Sequence, residues 1–355
     1  MMSSNDIGRP ENTRKILVVR LGAMGDIIHT LPAVASLKRA LPQAELTWAI
    51  EPRWAPLVEG NPFVDQVFPL AIKEWRENPL SAATRADFRQ ARRRLRAANY
   101  DLAVDFQGLL KSAVVTFLSR AERVIGFHRD EARESLSAAF YSNRVKTGAR
   151  HVVEKYRRLA WAAAGRPVSE KDDDLVFPLP QGQREASLPP GDFVLASPLA
   201  GWGSKQWPLE YYADLAALIF RESGMPLVID GPPTDEPRLQ RIVDAAPAGS
   251  CLLHISSLQG LIAATRAARA VVGVDSGPLH LAAAVAKPGV AIFGPTEPER
   301  NGPAGQSFRV LRSPQAKTTY KRNDEIDPAM ASIRPAEVWE NLQTVLSGEK
   351  APARS

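Results

Sequence analysis

The sequence predicts an α/β protein built from two doubly wound parallel-sheet domains. Three observations lead there: short β-branched runs alternate with amphipathic helical runs, 355 residues exceed one hydrophobic core, and a Pro-, Gly- and charge-dense stretch divides the chain. In the first half, strands are expected at 15–21, 45–50, 66–70, 102–106 and 123–127, with helices at 26–40, 84–98 and 109–119. In the second half, strands are expected at 193–196, 227–229, 271–274 and 290–293. The run Ala270-Val271-Val272-Gly273-Val274 is typical of them: too short for a helix, rich in valine, and therefore a strand covered on both faces. The stretch 165–192 reads as a domain edge, and its Lys171-Asp172-Asp173-Asp174 is surface charge, because no buried strand leads into it. These signals predict a tail at 1–14, a first domain at 15–180, a linker at 181–192, a second domain at 193–346 and a disordered tail at 347–355.

Composition narrows the class. Hydrophobic content of 45% and charged content of 24% are those of an ordinary globular protein. The single Cys251 excludes an internal disulfide and a cysteine metal cluster. Met1 to Arg14 is polar, without the apolar core of a secretory signal, and no apolar run is long enough to span a bilayer, so a cytosolic protein is expected. The net charge of +6 points to anionic partners. Its densest source is 85–96, where Phe88, Ala91 and Leu95 form an apolar stripe and Arg85, Arg89, Arg92, Arg93 and Arg96 occupy the rest of a helix. That helix is either a solvated face or a surface drawn to anionic lipid headgroups. No nucleic-acid partner is expected, because no binding module or interleaved aromatics accompany the arginines.

Four turns carry residues with chemical use. The first strand ends in Leu21-Gly22-Ala23-Met24-Gly25-Asp26-Ile27-Ile28-His29, which departs from the dinucleotide pattern: the glycines are spaced G-x-x-G, and an acid there would repel a pyrophosphate. This spacing argues against a nicotinamide oxidoreductase. Asp26 is either a helix cap or a base pointing into the crevice at the strand ends. His29, one turn on, fills the helix face or orients a substrate. In Ser197 to Pro208, a Gly-rich loop presents Lys205 between Trp202 and Trp207, so that Lys205 could meet a phosphate and Ser204 could add a hydrogen bond. After the strand at 227–229 comes Glu236, suited to ribose hydroxyls or equally to a plain surface. In Asp275-Ser276-Gly277-Pro278-Leu279-His280, a strand turns into a helix whose first N–H groups form an anion site, or whose Asp and Ser merely cap it.

Taken together, these segments resemble one family. Gly22 to Pro32, Lys205-Gln206-Trp207-Pro208, Asp275 to His280 and Phe293-Gly294-Pro295-Thr296, in that order, are similar to glycosyltransferase family 9, which contains the ADP-heptose:lipopolysaccharide heptosyltransferases. The segments 71–76, 105–113 and 132–134 are most similar to members that add the first heptose to a Kdo sugar on lipid A. The resemblance implies GT-B architecture, two Rossmann-like doubly wound parallel-sheet domains facing each other across a cleft. It also implies inversion at the anomeric carbon, no metal, no cofactor beyond the donor ADP-heptose, and an anionic lipid A/Kdo acceptor at the inner membrane surface. By resemblance, Asp26 is the base and Lys205 neutralises the leaving ADP. Ser204, Asp275, Ser276, Gly277 and His280 hold the donor, Glu236 its ribose, and Ser256 and Ser257 fall near the adenine. Gly25, Lys73, Arg76, Lys111 and Arg133 belong to the acceptor side. A later heptose, a different sugar or acceptor, and a non-catalytic nucleotide-sugar-binding protein stay open as alternatives.

Overall fold

The computed structural model describes residues 13–167 and 175–348. The chain divides into two compact units, Met1–Pro180 and Gln181–Ser355. The Lys171–Asp174 run lies outside the described residues, as do most of the tail expected at 1–14 and the tail expected at 347–355 from residue 349 onward.

The first unit runs β1 (Lys15–Val19), α1 (Met24–Ala40), β2 (Glu45–Ile50), β3 (Gln66–Pro69), α2 (Ile72–Glu77), α3 (Ala82–Ala97), β4 (Leu102–Asp105), α4 (Leu110–Ser119), β5 (Arg123–Phe127), β6 (Asn143–Val145) and α5 (Val152–Ala163). Its sheet has the order β3-β2-β1-β4-β5-β6, parallel throughout. Leu17 at the centre faces Thr47 on one side and Ala103 on the other. The second unit runs β7 (Val194–Ser197), α6 (Leu209–Ser223), β8 (Leu227–Gly231), α7 (Glu236–Ala245), β9 (Cys251–Ile255), α8 (Leu258–Ala267), β10 (Ala270–Val274), α9 (Gly277–Ala284), β11 (Gly289–Phe293), α10 (Pro298–Asn301), β12 (Phe308–Arg312), α11 (Pro328–Ser332) and α12 (Pro335–Leu346). Its sheet order, β12-β11-β10-β7-β8-β9, is the same winding repeated. Both are Rossmann-like: chain order reverses direction between β1 and β4, and again between β7 and β10.

Every strand expected from sequence forms, within two residues of its expected ends. Three more appear at or near sheet edges, each with a weaker pattern. β6 has three residues, β9 is interrupted by His254, and β12 alternates arginine with apolar residues. Helix α1 begins at Met24, so Asp26 is its third residue, inside the first turn and not the cap. His29 is buried where α1 packs on α5, its ring centroid 6.3 Å from that of His151. The segment 181–192, expected as a linker, lies against α8 of the second unit: Gln183 N donates to Gln259 O (3.0 Å) and Ser257 Oγ to Glu185 Oε1 (2.8 Å). A Cβ at Gly182, whose φ is +79°, would come 2.5 Å from Ala263 N. Among the described residues, no helix is long and apolar enough to cross a membrane.

One buried carboxylate organises the strand ends of the first unit. Asp105, fully buried at the end of β4, accepts Gln107 N (2.8 Å), Gly108 N (3.1 Å), Ser112 Oγ (2.8 Å) and Tyr141 Oη (2.8 Å). Burial pushes its carboxyl upward, and the four donors oppose that. The turn so formed holds Gln107, whose Oε1 accepts Leu21 N (2.9 Å) and ties the end of β4 to the loop leaving β1. Each orphaned buried donor costs about 1–3 kcal/mol. Asp105→Ala is therefore expected to destabilise the first unit by about 3 kcal/mol or more, and Tyr141→Phe by only about 1 kcal/mol. Urea unfolding followed by tryptophan fluorescence checks this; equal midpoints for Asp105→Ala and the parent would contradict it.

Candidate functional site

In the first unit, the residues of interest gather where the loops after β1 and β4 part. Asp26 comes from the first turn of α1, and Arg20 from the end of β1. The Arg20 side chain is fully buried, with Nη2 2.7 Å from Asp26 Oδ2 and Nη1 donating to Phe106 O at 2.6 Å. Its guanidinium lies over the Tyr156 ring, 5.1 Å from the centroid. Arg133, half exposed, reaches the same Asp26 oxygen at 3.1 Å. Two guanidiniums, with the positive end of α1, orient this carboxylate. At 21% exposure it remains accessible to a ligand.

A second acid, Glu51, follows β2 and is 7% exposed. Its Oε1 accepts Lys73 N at 3.2 Å. Burial raises the Glu51 carboxyl, and the charges of Lys111, Arg53 and Lys73 work against that rise. The Lys111 ammonium, one residue into α4, is drawn down by its own burial; Glu51 opposes the fall, and Arg76, Arg20 and Arg53 add to it. Lys73, Lys111 and Arg53 thus surround Glu51, and Arg76 lies near enough to Lys111 to act on its charge. The contact of Lys73 Nζ with Glu77 (3.6 Å) is between exposed groups and contributes little.

The second unit holds its cluster at the matching reversal. Lys205, in a short 3-10 turn after β7, donates from Nζ to Asp275 Oδ2 at 2.6 Å and sits 4.3 Å from the Trp202 ring centroid. Asp275, at the end of β10 and 6% exposed, also has Oδ1 3.3 Å from His280 Nε2. Burial alone would raise the Asp275 carboxyl. The His280 hydrogen bond and the Lys205 charge outweigh burial and hold it well below the usual carboxylate range. The turn is held by its surroundings: Trp207 is fully buried with Nε1 on Ile333 O (2.8 Å), and Ser204 N donates to Asn323 O (2.9 Å). A Cβ on Gly203 would lie 1.9 Å from Asp324 O, so only glycine permits that approach.

Ser276 is the cap residue of α9, yet its hydroxyl makes no capping hydrogen bond. Its Oγ, together with Ser204 Oγ and Thr296 Oγ1, is buried without a hydrogen-bond partner. These hydroxyls come from the segments that follow the adjacent strands β7, β10 and β11, and with the opening N–H groups of α9 they are donors that could take anionic oxygen. Between a plain cap and an anion site, this geometry favours the anion site.

The other expected residues lie further along the same edge. Glu236, the first residue of α7, is exposed. Ser256, at the end of β9, donates from Oγ to buried Asp230 (2.7 Å), and Ser257 caps α8 by accepting Gly260 N (3.0 Å). Asp230 itself is pushed up to about 7, chiefly by burial. Among the described residues, no group of three His, Cys, Asp or Glu side chains could hold a metal ion. Sequence reasoning misses Arg20, Glu51 and Thr296. The signal for the first two was present, since a charged residue ending an apolar strand run must be placed at the strand-end edge.

Two Rossmann-like units, one with a fixed carboxylate and the other with a Lys205–Asp275–His280 cluster at its strand ends, are those of a glycosyltransferase of GT-B type. The family model for glycosyltransferase family 9 (heptosyltransferase) matches residues 88–329, and the chain belongs to that family. It is 33% identical to lipopolysaccharide heptosyltransferase 1 of Pseudomonas aeruginosa over 294 residues, covering 82% of each chain. To the enzyme of the same name from Escherichia coli K12 it is 31% identical over 324 residues, 90% of this chain and 100% of the other. The solved structure of E. coli heptosyltransferase WaaC with ADP superposes with a TM-score of 0.79 at 28% identity, covering 93% of this chain and 99% of that one. E. coli ADP-heptose lps heptosyltransferase II gives 0.76 at 25% identity, covering 94% and 99%.

The Asp275 pair has a pH signature. Folding lowers this carboxyl below its unfolded value of about 4, so its contribution is present above that pH and is lost as pH falls. Asp275→Asn is expected to destabilise the second unit by about 3 kcal/mol at neutral pH, because Lys205 is left partly buried without its partner. Denaturant melts from pH 7 to pH 3 should show parent and variant converging. A difference that stays constant across that range would contradict the assignment.

Proposed function

We propose that this protein is an inverting, metal-independent transferase that moves heptose from ADP-heptose to a Kdo residue of lipid A, working in the cytoplasm at the inner face of the cytoplasmic membrane. The carrying observation is the Lys205–Asp275–His280 cluster with the unpartnered hydroxyls of Ser204 and Ser276 beside it. Relatives named lipopolysaccharide heptosyltransferase 1 and the ADP-bound neighbour support this choice of donor and acceptor.

In the proposed step, an acceptor hydroxyl oxygen forms its bond to the heptose C1 on the face opposite the leaving group. The bond from C1 to the phosphate oxygen breaks, its electron pair leaves with ADP, and the hydroxyl proton passes to the Asp26 carboxylate. An ionised carboxylate braced by Arg20 and Arg133 is a weak base toward a ground-state alcohol. It serves late in the reaction, when the attacking oxygen has become acidic through bonding to an oxocarbenium-like carbon.

Charge growing on ADP is met by Lys205, Ser276 and the N–H groups from Gly277 onward, with the dipole of α9 behind them. Asp275 holds Lys205 in place and contacts the donor sugar, Glu236 takes the ribose, and Ser256 lies toward the adenine. On the acceptor side, Gly25 lets the substrate approach the first turn of α1. Lys73, Arg76, Lys111 and Arg133 meet the Kdo carboxylate and lipid A phosphates.

The test is incubation with ADP-heptose or with uridine and guanosine nucleotide sugars, each with Kdo-bearing lipid A and with already heptosylated lipid A, the products being read by mass. One heptose added to the Kdo-bearing acceptor is expected. Preference for another nucleotide, or for the heptosylated acceptor, would overturn the substrate assignment. Asp26→Asn should lower kcat by about 10²–10⁴-fold with donor affinity retained. Lys205→Ala should lower it by about 10²–10³-fold. Activity should survive excess chelator undiminished, and strict dependence on an added divalent ion would contradict the role given to Lys205.

A further inference from the structure

We infer that α4, the adjoining 3-10 helix Ser135–Phe140 and helix α3 form a docking surface for an anionic lipid bilayer. The inference deepens the proposed transfer to a lipid-linked acceptor and rests on that reading for its purpose.

The apolar part is a stripe that the fold leaves uncovered. On α4, Leu110, Val114 and Phe117 fall at i, i+4 and i+7, on one side of the helix, and are 37%, 40% and 63% exposed. The opposite side, Ser112, Val115, Thr116 and Ser119, is buried. Next to the stripe, Leu136 is 68% exposed, and the Phe117 and Phe140 rings meet edge to face at 6.0 Å. Single exposed apolar residues are ordinary on a protein surface, whereas a contiguous group on two packed elements marks an interaction face.

The charge beside it selects the occupant. Helix α3 packs against α4, buries Ala91 and Leu95, and turns Arg85, Arg89, Arg92 and Arg93 outward. Over its length it has six arginines and one acid, Asp87, which accepts the Trp75 indole N–H at 2.7 Å. No ion pair among the described residues reaches these arginines. The Arg96 guanidinium is drawn down by desolvation and then by the charges of Arg120 and Arg92, and Arg120 ends α4 one turn beyond Phe117. A row of uncompensated cations flanking an apolar ridge is complementary to an anionic membrane: the ridge enters the headgroup–acyl boundary and the guanidiniums stay among the phosphates.

Position gives the surface its use. Lys111 of the acceptor side belongs to the same α4 turn as Leu110, whose N–H donates to Glu134 Oε2 (2.6 Å), and Glu134 stands between Arg133 and the 3-10 helix. Along the α4 axis, Lys111 and Phe117 are about 9 Å apart. A bilayer on this face therefore brings the headgroup sugar of a lipid acceptor to the height of Lys111 and Arg133.

The full chain would be sedimented with vesicles of phosphatidylethanolamine and phosphatidylglycerol, and with phosphatidylcholine vesicles, neither containing glycolipid. Binding to the anionic vesicles, released by high salt, is expected. Phe117→Asp with Leu136→Asp should weaken it by about tenfold or more. Arg89→Glu with Arg92→Glu should do the same. Both pairs should keep the parent's melting temperature and its transfer to a deacylated, water-soluble acceptor. Variants that sediment as the parent does would overturn the inference, as would a parent dimer that Phe117→Asp dissolves, or stronger retention by duplex DNA than by vesicles. Because the vesicles contain no acceptor, a parent that binds them but transfers nothing contradicts the activity alone. One that transfers to the soluble acceptor but ignores vesicles contradicts the docking alone.

Discussion

A parallel sheet whose connections reverse direction cannot cover its own midpoint. The helices leaving β1 and β4 depart to opposite sides, as do those leaving β7 and β10, and each reversal opens a crevice at the carboxyl ends of the strands. The clusters around Asp26 and around Asp275 sit at those two gaps or on the turns beside them. Asp26 and Lys111 flank the first, and Lys205 and Asp275 the second. Helix N-termini converge on each gap, so each favours anions before any side chain is counted.

Against that background the charged side chains have distinct tasks. Buried ion pairs add little net stability, since desolvation cancels much of the attraction, but they fix geometry firmly. Arg20 cannot leave Asp26 without stranding a fully buried guanidinium. Asp275 keeps Lys205 aimed at the opening of α9, and His280 keeps Asp275 turned toward Lys205. In both units the group assigned to react is partly exposed, and a buried partner holds it in place. The hydroxyls of Ser204, Ser276 and Thr296, beside the second cluster, are buried without a hydrogen-bond partner.

Much of this was legible in the residues. The strand pattern predicts both sheets because parallel strands buried on two faces must be short and uniformly apolar. Asp275 follows such a strand directly, Asp26 and Lys205 come from the segments that leave β1 and β7, and the turn glycines mark where backbone must come close to another group. Arg20 and Glu51 are harder to read. Each ends an apolar strand run, but Arg20 finds its partner six residues on, and Glu51 draws Lys73 from α2 and Lys111 from α4, which no local pattern joins to β2. The role of Ser276 was equally undecidable from sequence, because a serine that caps and a serine that waits for a ligand have the same neighbours.

The linear sequence by itself determined the α/β class, the two-unit plan, the turns that carry the chemistry and the family, because strand burial and turn backbone are local demands written in consecutive residues. Only the tertiary structure decided which charges meet: Arg133 joins Asp26 across 107 residues, Lys205 joins Asp275 across 70, and the bare stripe of α4 lies beside the arginines of α3. Ion pairs and surface patches depend on distances in space, and chain separation alone cannot encode those until the strands have taken their order in the sheet.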